Sequence, residues 1–180
     1  MAALLCAIGV TALALALVAG SATAASNLVL NASFEQDSDS NGIPDSWGGN
    51  HLTPADKRVC NQSYAGACSF KMVGDGTIKY FYQQILVTGG AGDSYKFTFW
   101  IKGKAIPSGG DLSIFLFISD TDGSIEVFLQ VVPRGDTAWK KYVLNATSAE
   151  PYDFSFVGIR EIGGPSGKLW VDTMKLVRLP

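Results

Sequence analysis

Ser94-Tyr95-Lys96-Phe97-Thr98-Phe99-Trp100-Ile101-Lys102 is the stretch that decides the fold. Tyr95, Phe97, Phe99 and Ile101 fall at every second place, and Lys96, Thr98, Trp100 and Lys102 lie between them. Side chains alternate across a β-strand with a period of two, so this pattern predicts a strand with one core face and one mixed face. A helix would need apolar residues three or four apart. On either side similar β-rich segments recur: Ser69–Val73, Thr77–Val87, Asp111–Ile118, Ile125–Val132, Lys140–Asn145, Phe154–Glu161 and Leu169–Arg178. Turn clusters separate them, among them Gly74-Asp75-Gly76, Asp122-Gly123 and the glycine-rich runs at 89–93, 107–110 and 163–167. Many short strands without a helical stretch predict an all-β fold, an antiparallel β-sandwich or jelly roll. With no internal linker, residues 26–180 read as one domain.

The mixed faces carry the functional expectation. Ile78–Leu86 presents Tyr80, Tyr82 and Gln84 opposite its core face, and Asp111–Ser119 presents Phe115 and Phe117. Ile125–Val132 is expected to bury Ile125, Val127, Leu129 and Val131 and to present Glu126 and Phe128. Rigid rings offer flat apolar surface to the C–H face of a sugar, and neighbouring amides, hydroxyls or carboxylates bond its hydroxyls. Packing under loops or in a thick core is the competing account of each ring. Trp100, flanked by Lys96, Thr98 and Lys102, is the ring most suggestive of ligand contact.

The first 34 residues hold no charged side chain, and the run from Met1 to Gly20 is rich in Ala, Leu and Val. Small residues around Ala22–Ala25 then supply a cleavage site, so residues 1–25 read as a secretory signal peptide, although no Lys or Arg precedes the apolar run. An uncleaved membrane anchor is the alternative, since the stretch is long enough to span. The mean hydropathy of +0.20 comes largely from this segment. Export places the protein outside the cell or at its surface, where Cys60 and Cys68 are expected to pair. A formal charge of −2 without a Lys/Arg run argues against nucleic acid, whose phosphates demand a basic footprint.

Several segments together resemble the carbohydrate-binding modules of the CenC-like group (families 4, 9 and 22), which are calcium-stabilised galactose-binding-like jelly rolls. The opening Asn27-Leu-Val-Leu-Asn31-Ala-Ser33-Phe34-Glu35 and the following Gly42-Ile-Pro44-Asp45-Ser-Trp47 are similar to the start of that group. Ser63–Lys71, Gln84–Val87, Ser94–Gly103, Trp139–Tyr142 and Gly167–Leu176 resemble its later segments in the same order. The resemblance implies a structural Ca²⁺ tying the first strand to the last, with Glu35 and Asp172 as side-chain ligands; Thr173 stands where a second Asp is frequent. Two carboxylates from distant chain ends would suit a cation that takes several oxygens. Asp37-Ser-Asp39-Ser-Asn41-Gly42-Ile-Pro-Asp45 is a second calcium candidate, similar to an EF-hand-type loop. Its last position is Gly48 rather than an acid and no helices flank it, so a solvated turn competes.

No catalytic arrangement is recognisable. His51 is the sole histidine, no nucleophile-elbow sequence surrounds a serine, and zinc-hydrolase spacing is absent. The expectation is therefore a secreted, non-catalytic module that binds a poly- or oligosaccharide, alone or alongside enzymes acting in trans, with membrane contact only if the signal segment stays uncleaved. The alternative is an extracellular structural or adhesive jelly roll of an envelope, sheath or matrix, without sugar binding.

Overall fold

The computed structural model describes residues 26–108, 111–163 and 167–180. The signal or anchor expected over residues 1–25 lies outside the described residues. Ten strands follow: β1 (Gly48–Asn50), β2 (Lys57–Val59), β3 (Ser69–Val73), β4 (Lys79–Ile85), β5 (Ser94–Ile106), β6 (Asp111–Asp120), β7 (Ile125–Val131), β8 (Gly135–Thr147), β9 (Tyr152–Ile162) and β10 (Lys168–Arg178). They form two five-stranded antiparallel sheets, ordered β1-β4-β9-β6-β7 and β2-β3-β10-β5-β8. This is the expected sandwich.

The core lies between the sheets and is built by the alternation read from the sequence. Tyr95, Phe97, Phe99 and Ile101 of β5 are buried, as are Ile114, Leu116 and Ile118 of β6 and Phe81 and Ile85 of β4. Phe70 of β3 stacks on Phe81 of β4 with ring centroids 3.4 Å apart, so one aromatic pair joins the two sheets. Phe34 and Trp47 close over that pair at 5.9 and 4.7 Å from Phe81. Each such ring, removed from water, contributes about 2–3 kcal/mol. The chain before β1 is held against β10, where Leu28 N–H donates to the Leu176 carbonyl and Met174 N–H to that of Ala32.

One end of the sandwich is fastened by a buried ionic cluster. Lys79 Nζ donates to Asp56 Oδ2 at 2.9 Å and lies 2.7 Å from Asp75. Burial pulls the Lys79 ammonium down, but its bonds to Asp75 and Asp56 outweigh that and leave it raised. The same lysine's hydrogen bond is the largest reason that the Asp75 carboxyl falls to about 2. Glu161 stands opposite Lys79 on β9; burial pushes its carboxyl up, and its Oε2 has no hydrogen-bond partner. At the other end Tyr152 donates to Asp93, which pairs with Arg178, and the Tyr152 and Tyr95 hydroxyls bond each other. Burial raises the Tyr152 hydroxyl far above the ordinary tyrosine range.

Two features differ from expectation. The edge strands β1 and β2 carry no readable alternation, and β8 begins at Gly135 rather than Lys140. Strand β7 is also turned over. Phe128 pairs with Leu116, which is fully buried, so Phe128 packs inward against the core. Ile125, Val127 and Val131 face out, 57, 51 and 60% exposed. Glu126 points the same way as Phe128 and accepts from Ser148 Oγ and Ala149 N–H, both at 2.9 Å. As an edge strand β7 has apolar residues on both faces, and hydrophobicity alone does not tell which face is inner.

Candidate functional site

The outer face of the β1-β4-β9-β6-β7 sheet is laid out by its register. One row across the strands runs Asn50, Tyr80, Arg160, Ser113, Val131. The next is Gly48, Tyr82, Gly158, Phe115, Leu129, and the third Gln84, Phe156, Phe117, Val127. Gly158 lies beneath, with the Phe115 ring, 1% exposed, packed over it. A Cβ built there would lie 2.1 Å from the Phe81 carbonyl oxygen and 3.0 Å from Phe115 Cζ. Because only glycine fits, the Phe115 ring packs down onto the backbone in the middle of the sheet.

Those rings line a trough of about 250 Å³ with Asn50, Tyr80, Tyr82, Phe115, Phe117 and Phe156 around it. Tyr80 meets Phe115 edge-on at 6.3 Å, and Tyr82 meets Phe156 edge-on at 5.6 Å. Phe117 stacks on Phe115 at 4.2 Å, and Phe154 braces Phe156 at 5.4 Å. Edge-to-face packing fixes ring planes, since the positive ring edge is drawn to the negative face. Polar groups stand at the margin: the tyrosine hydroxyls, the Asn50 amide, and Arg160, whose Nε donates to Ser113 Oγ at 3.1 Å. The trough is an open apolar surface with hydroxyl and amide groups and the Arg160 guanidinium at its rim, and no Asp, Glu or His lines it.

The sequence-expected residues divide among three places. Tyr80, Tyr82, Phe115 and Phe117 come together in the trough, and Gln84 is exposed one row along, beside Phe156. Glu126 and Phe128 face the other way. Trp100 lies on the opposite sheet, on β5, where Tyr64 stacks over it with centroids 3.5 Å apart. Phe156, Asn50 and Arg160 were missed. Phe154–Glu161 is legible as a strand, and its outward set of Phe154, Phe156, Gly158 and Arg160 was available from alternation; that β9 lies between β4 and β6 was not.

Tyr64 belongs to the loop closed by the Cys60–Cys68 disulfide. The same loop occupies the carboxylates expected to hold calcium. Asp172, fully buried, accepts from Tyr64 N–H at 2.7 Å and Ala65 N–H at 3.0 Å through Oδ2, and from Thr173 N–H at 2.6 Å through Oδ1. Glu35 Oε1 accepts from Ala67 N–H at 2.9 Å and Cys68 N–H at 3.2 Å. Burial raises the Asp172 carboxyl in spite of these bonds. A Ca²⁺ ion is held by oxygens; here backbone N–H donors take up both oxygens of Asp172 and Oε1 of Glu35. The acidic loop also accepts N–H bonds, from Ser38, Asn41 and Gly42, but gathers three carboxylates. Asp37, Asp39 and Asp45 bring carboxylate oxygens within 4.8 Å of one another, a cluster that can hold a metal ion. Asp37 Oδ1 is buried there without a hydrogen-bond partner.

No family model matches the sequence, and no curated protein does so either. Solved structures do match in shape. The chain is similar to the CBM22-1 xylan-binding domain of Paenibacillus barcinonensis Xyn10C, at 15% identity and a TM-score of 0.61, covering 88% of this chain and 97% of that one. It is similar to the family 61 module TmCBM61 in complex with β-1,4-galactotriose, at 19% identity and a TM-score of 0.59, over 86% and 99% of the two chains. A family 16 carbohydrate-binding module matches at 21% identity and a TM-score of 0.60, over 84% and 99%. At these identities the likeness is one of fold: the chain has the two-sheet β-sandwich of carbohydrate-binding modules.

Proposed function

We propose that this chain is a secreted, non-catalytic carbohydrate-binding domain that takes a neutral poly- or oligosaccharide on the outer face of the β1-β4-β9-β6-β7 sheet. The carrying observation is the trough, with edge-fixed rings packed over Gly158 and hydrogen-bonding groups at its rim. Sugar rings present apolar C–H faces to such surfaces and hydroxyls to such rims. The lining contains no carboxylate, whereas glycoside hydrolysis uses a pair of them. Within this reading any structural calcium belongs to Asp37, Asp39 and Asp45 rather than to Glu35 and Asp172. The xylan-binding and galactotriose-bound neighbours make β-1,4-linked glycans the first probes. Retention of the purified protein on insoluble xylan and galactan, and binding on a glycan array, are expected for the native protein and lost in Tyr82→Ala. Absence of retention on every glycan, or retention unchanged by that substitution, would falsify the proposal.

One observation favours the structural or adhesive alternative. Ile125, Val127 and Val131 lie exposed on an edge strand beside the trough, and such an edge can pair with another chain. Light scattering separates the two readings: a stable oligomer broken by Val127→Lys, with no glycan retention, fits the alternative.

A further inference from the structure

The chain is nearly neutral, yet its charges are sorted by sheet. Nine of its ten lysines lie on strands of the β2-β3-β10-β5-β8 sheet, and the tenth, Lys79, is the buried partner of Asp56 and Asp75. Alternation and register put eight of the nine on the outer face: Lys57, Lys71, Lys96, Lys102, Lys104, Lys141, Lys168 and Lys175. The strands of this sheet carry two acids. Asp172 is buried under the disulfide loop, and Asp136, at the end of β8, accepts from Ala105 N–H. Among the described residues none of the eight lysines is in an ion pair.

The register sharpens this. Lys57 stands directly opposite Lys71, and Lys104 directly opposite Lys168. Like charges facing each other across neighbouring strands are destabilising, and among the described residues no ion pair offsets it. The lysines also line two shallow hollows. One, of about 240 Å³, has Lys104 and Lys168 with Val73, Ala105 and Gly167. The other, of about 260 Å³, has Lys96, Lys141 and Lys175 with Thr98 and Val177. Thr98 and Lys104 are six residues apart on β5, so the hollows lie roughly 20 Å from each other along the strand. Two cationic stations at that separation suit a polymer better than a single small anion.

The face also says which polymer. Two of its tryptophans are covered: Trp100 lies under Tyr64, and Trp170 is 8% exposed with the Lys102 ammonium 5.8 Å from its ring; the aromatic surface left is one small cluster, Tyr64 with Trp139 tilted 6.2 Å from it. Single-stranded nucleic acid is held by a succession of open aromatic platforms on which successive bases stack, and one such cluster does not supply it. Phosphate is favoured by the bidentate fork of arginine, and the two arginines of this sheet are engaged elsewhere, Arg58 with the Phe34 and Glu35 carbonyls and Arg178 with Asp93. Lysine ammoniums are point charges that suit carboxylates spaced along a chain. We infer that the outer face of the β2-β3-β10-β5-β8 sheet is a second binding surface, for an anionic polysaccharide bearing carboxylate groups, on the side opposite the aromatic trough. The domain then joins two polymers, one read by rings and one by charge.

The test is retention of the purified protein on immobilised polygalacturonate, with the fully methyl-esterified polymer as the uncharged form of the same backbone. Retention is expected at about 0.05 M NaCl and lost at about 0.5 M, as screening requires, and is absent on the ester. The variant Lys71→Gln/Lys102→Gln/Lys104→Gln/Lys168→Gln is expected to bind at least about tenfold more weakly. Its melting temperature should be equal or higher, since both opposed pairs are relieved, and neutral-glycan retention should be unchanged. Lys96→Gln/Lys141→Gln/Lys175→Gln, at the other hollow, tests the surface independently should the first variant fold poorly. The inference is overturned by no retention, by equal retention on the ester, or by retention that neither variant weakens. Tighter binding to single-stranded DNA or to phosphatidylserine vesicles at equal salt also overturns it.

Discussion

Replacing Gly158 by alanine tests the packing beneath the trough. The added Cβ would lie 2.1 Å from the Phe81 carbonyl oxygen, 2.9 Å from Tyr82 Cα and 3.0 Å from Phe115 Cζ. Two of these are backbone atoms of β4, paired with β9 along the whole of β4, so relief requires the ladder to part rather than a side chain to turn. Overpacking against such a framework costs about 3 kcal/mol. For a domain of this size that is a fall of about 6–12 °C in melting temperature. Gly48 is the internal control: it lies in the same cross-strand row, and a Cβ there meets nothing within 4 Å. Both substitutions reduce the freedom of the unfolded chain alike, so their difference isolates the clash. Urea unfolding of both variants should give an unchanged m-value, a loss near 3 kcal/mol for Gly158→Ala and a change within about 0.5 kcal/mol for Gly48→Ala. A loss below about 1 kcal/mol at Gly158, or an equal loss at Gly48, would refute the account of the packing at Gly158.

Other predictions concern the rings, the acids and the loop. Tyr82→Ala and Phe117→Ala should each weaken neutral-glycan binding by about 1–2 kcal/mol, whereas Trp100→Ala, which uncovers Tyr64 on the opposite sheet, should lower the melting temperature and leave that binding intact; calorimetric titration beside thermal melts separates these. Asp75, held at about 2 chiefly by Lys79, contributes stability that is present above its ordinary value of 3.8 and lost as pH falls toward 2. Glu161, raised chiefly by burial, acts in the opposite sense: its contribution is present below about 4.5 and is lost as pH rises through its folded value. The melting temperature should therefore rise as pH falls through the folded value of Glu161 toward 4.5 and fall as pH drops from 3.8 toward 2, and Glu161→Gln should flatten the first limb; an identical profile in that variant would remove Glu161 as its source. Reducing the Cys60–Cys68 bridge should cost about 2–4 kcal/mol, because the loop's amides then leave the buried Asp172. Wild type and Glu35→Gln should respond identically to EDTA; a calcium-dependent melt abolished by Glu35→Gln would restore the cation to that place.

What was legible in the sequence follows burial. The inner strands β3, β4, β5, β6, β9 and β10 are paired along both edges; β10 is interrupted by a register shift between Asp172 and Lys175, but the faces read from Tyr95, Phe97 and Phe99 or from Ile114, Leu116 and Ile118 are those observed. The misread segments are edge strands: β1 and β2 have three residues each, β8 was cut short, and β7 was inverted. A strand paired on one side carries a weaker constraint, and Ile125, Val127 and Val131 show apolar residues turned outward on it. The candidate site was half legible for a second reason. Alternation assigns a side chain to a face but not a strand to a sheet, so Trp100 and Tyr82 looked equivalent although they stand on opposite sides of the molecule.

The disulfide loop connects these outcomes. A cation between Glu35 and Asp172 would bridge the chain's two ends and leave the outer face of β5 and β10 open. Here four backbone amides of one short loop reach both carboxylates, and satisfying them lays Tyr64 over Trp100. Gly66 makes the close approach possible: it holds φ +65°, and a Cβ there would meet Glu35 Oε1 at 2.2 Å. The loop thus hydrogen-bonds the one buried acid on the strands of that sheet and covers Trp100 in a single arrangement. What it leaves uncovered is the lysines. Aromatic recognition then falls to the trough on the other sheet, and the covered face retains charge as its means of selecting a partner.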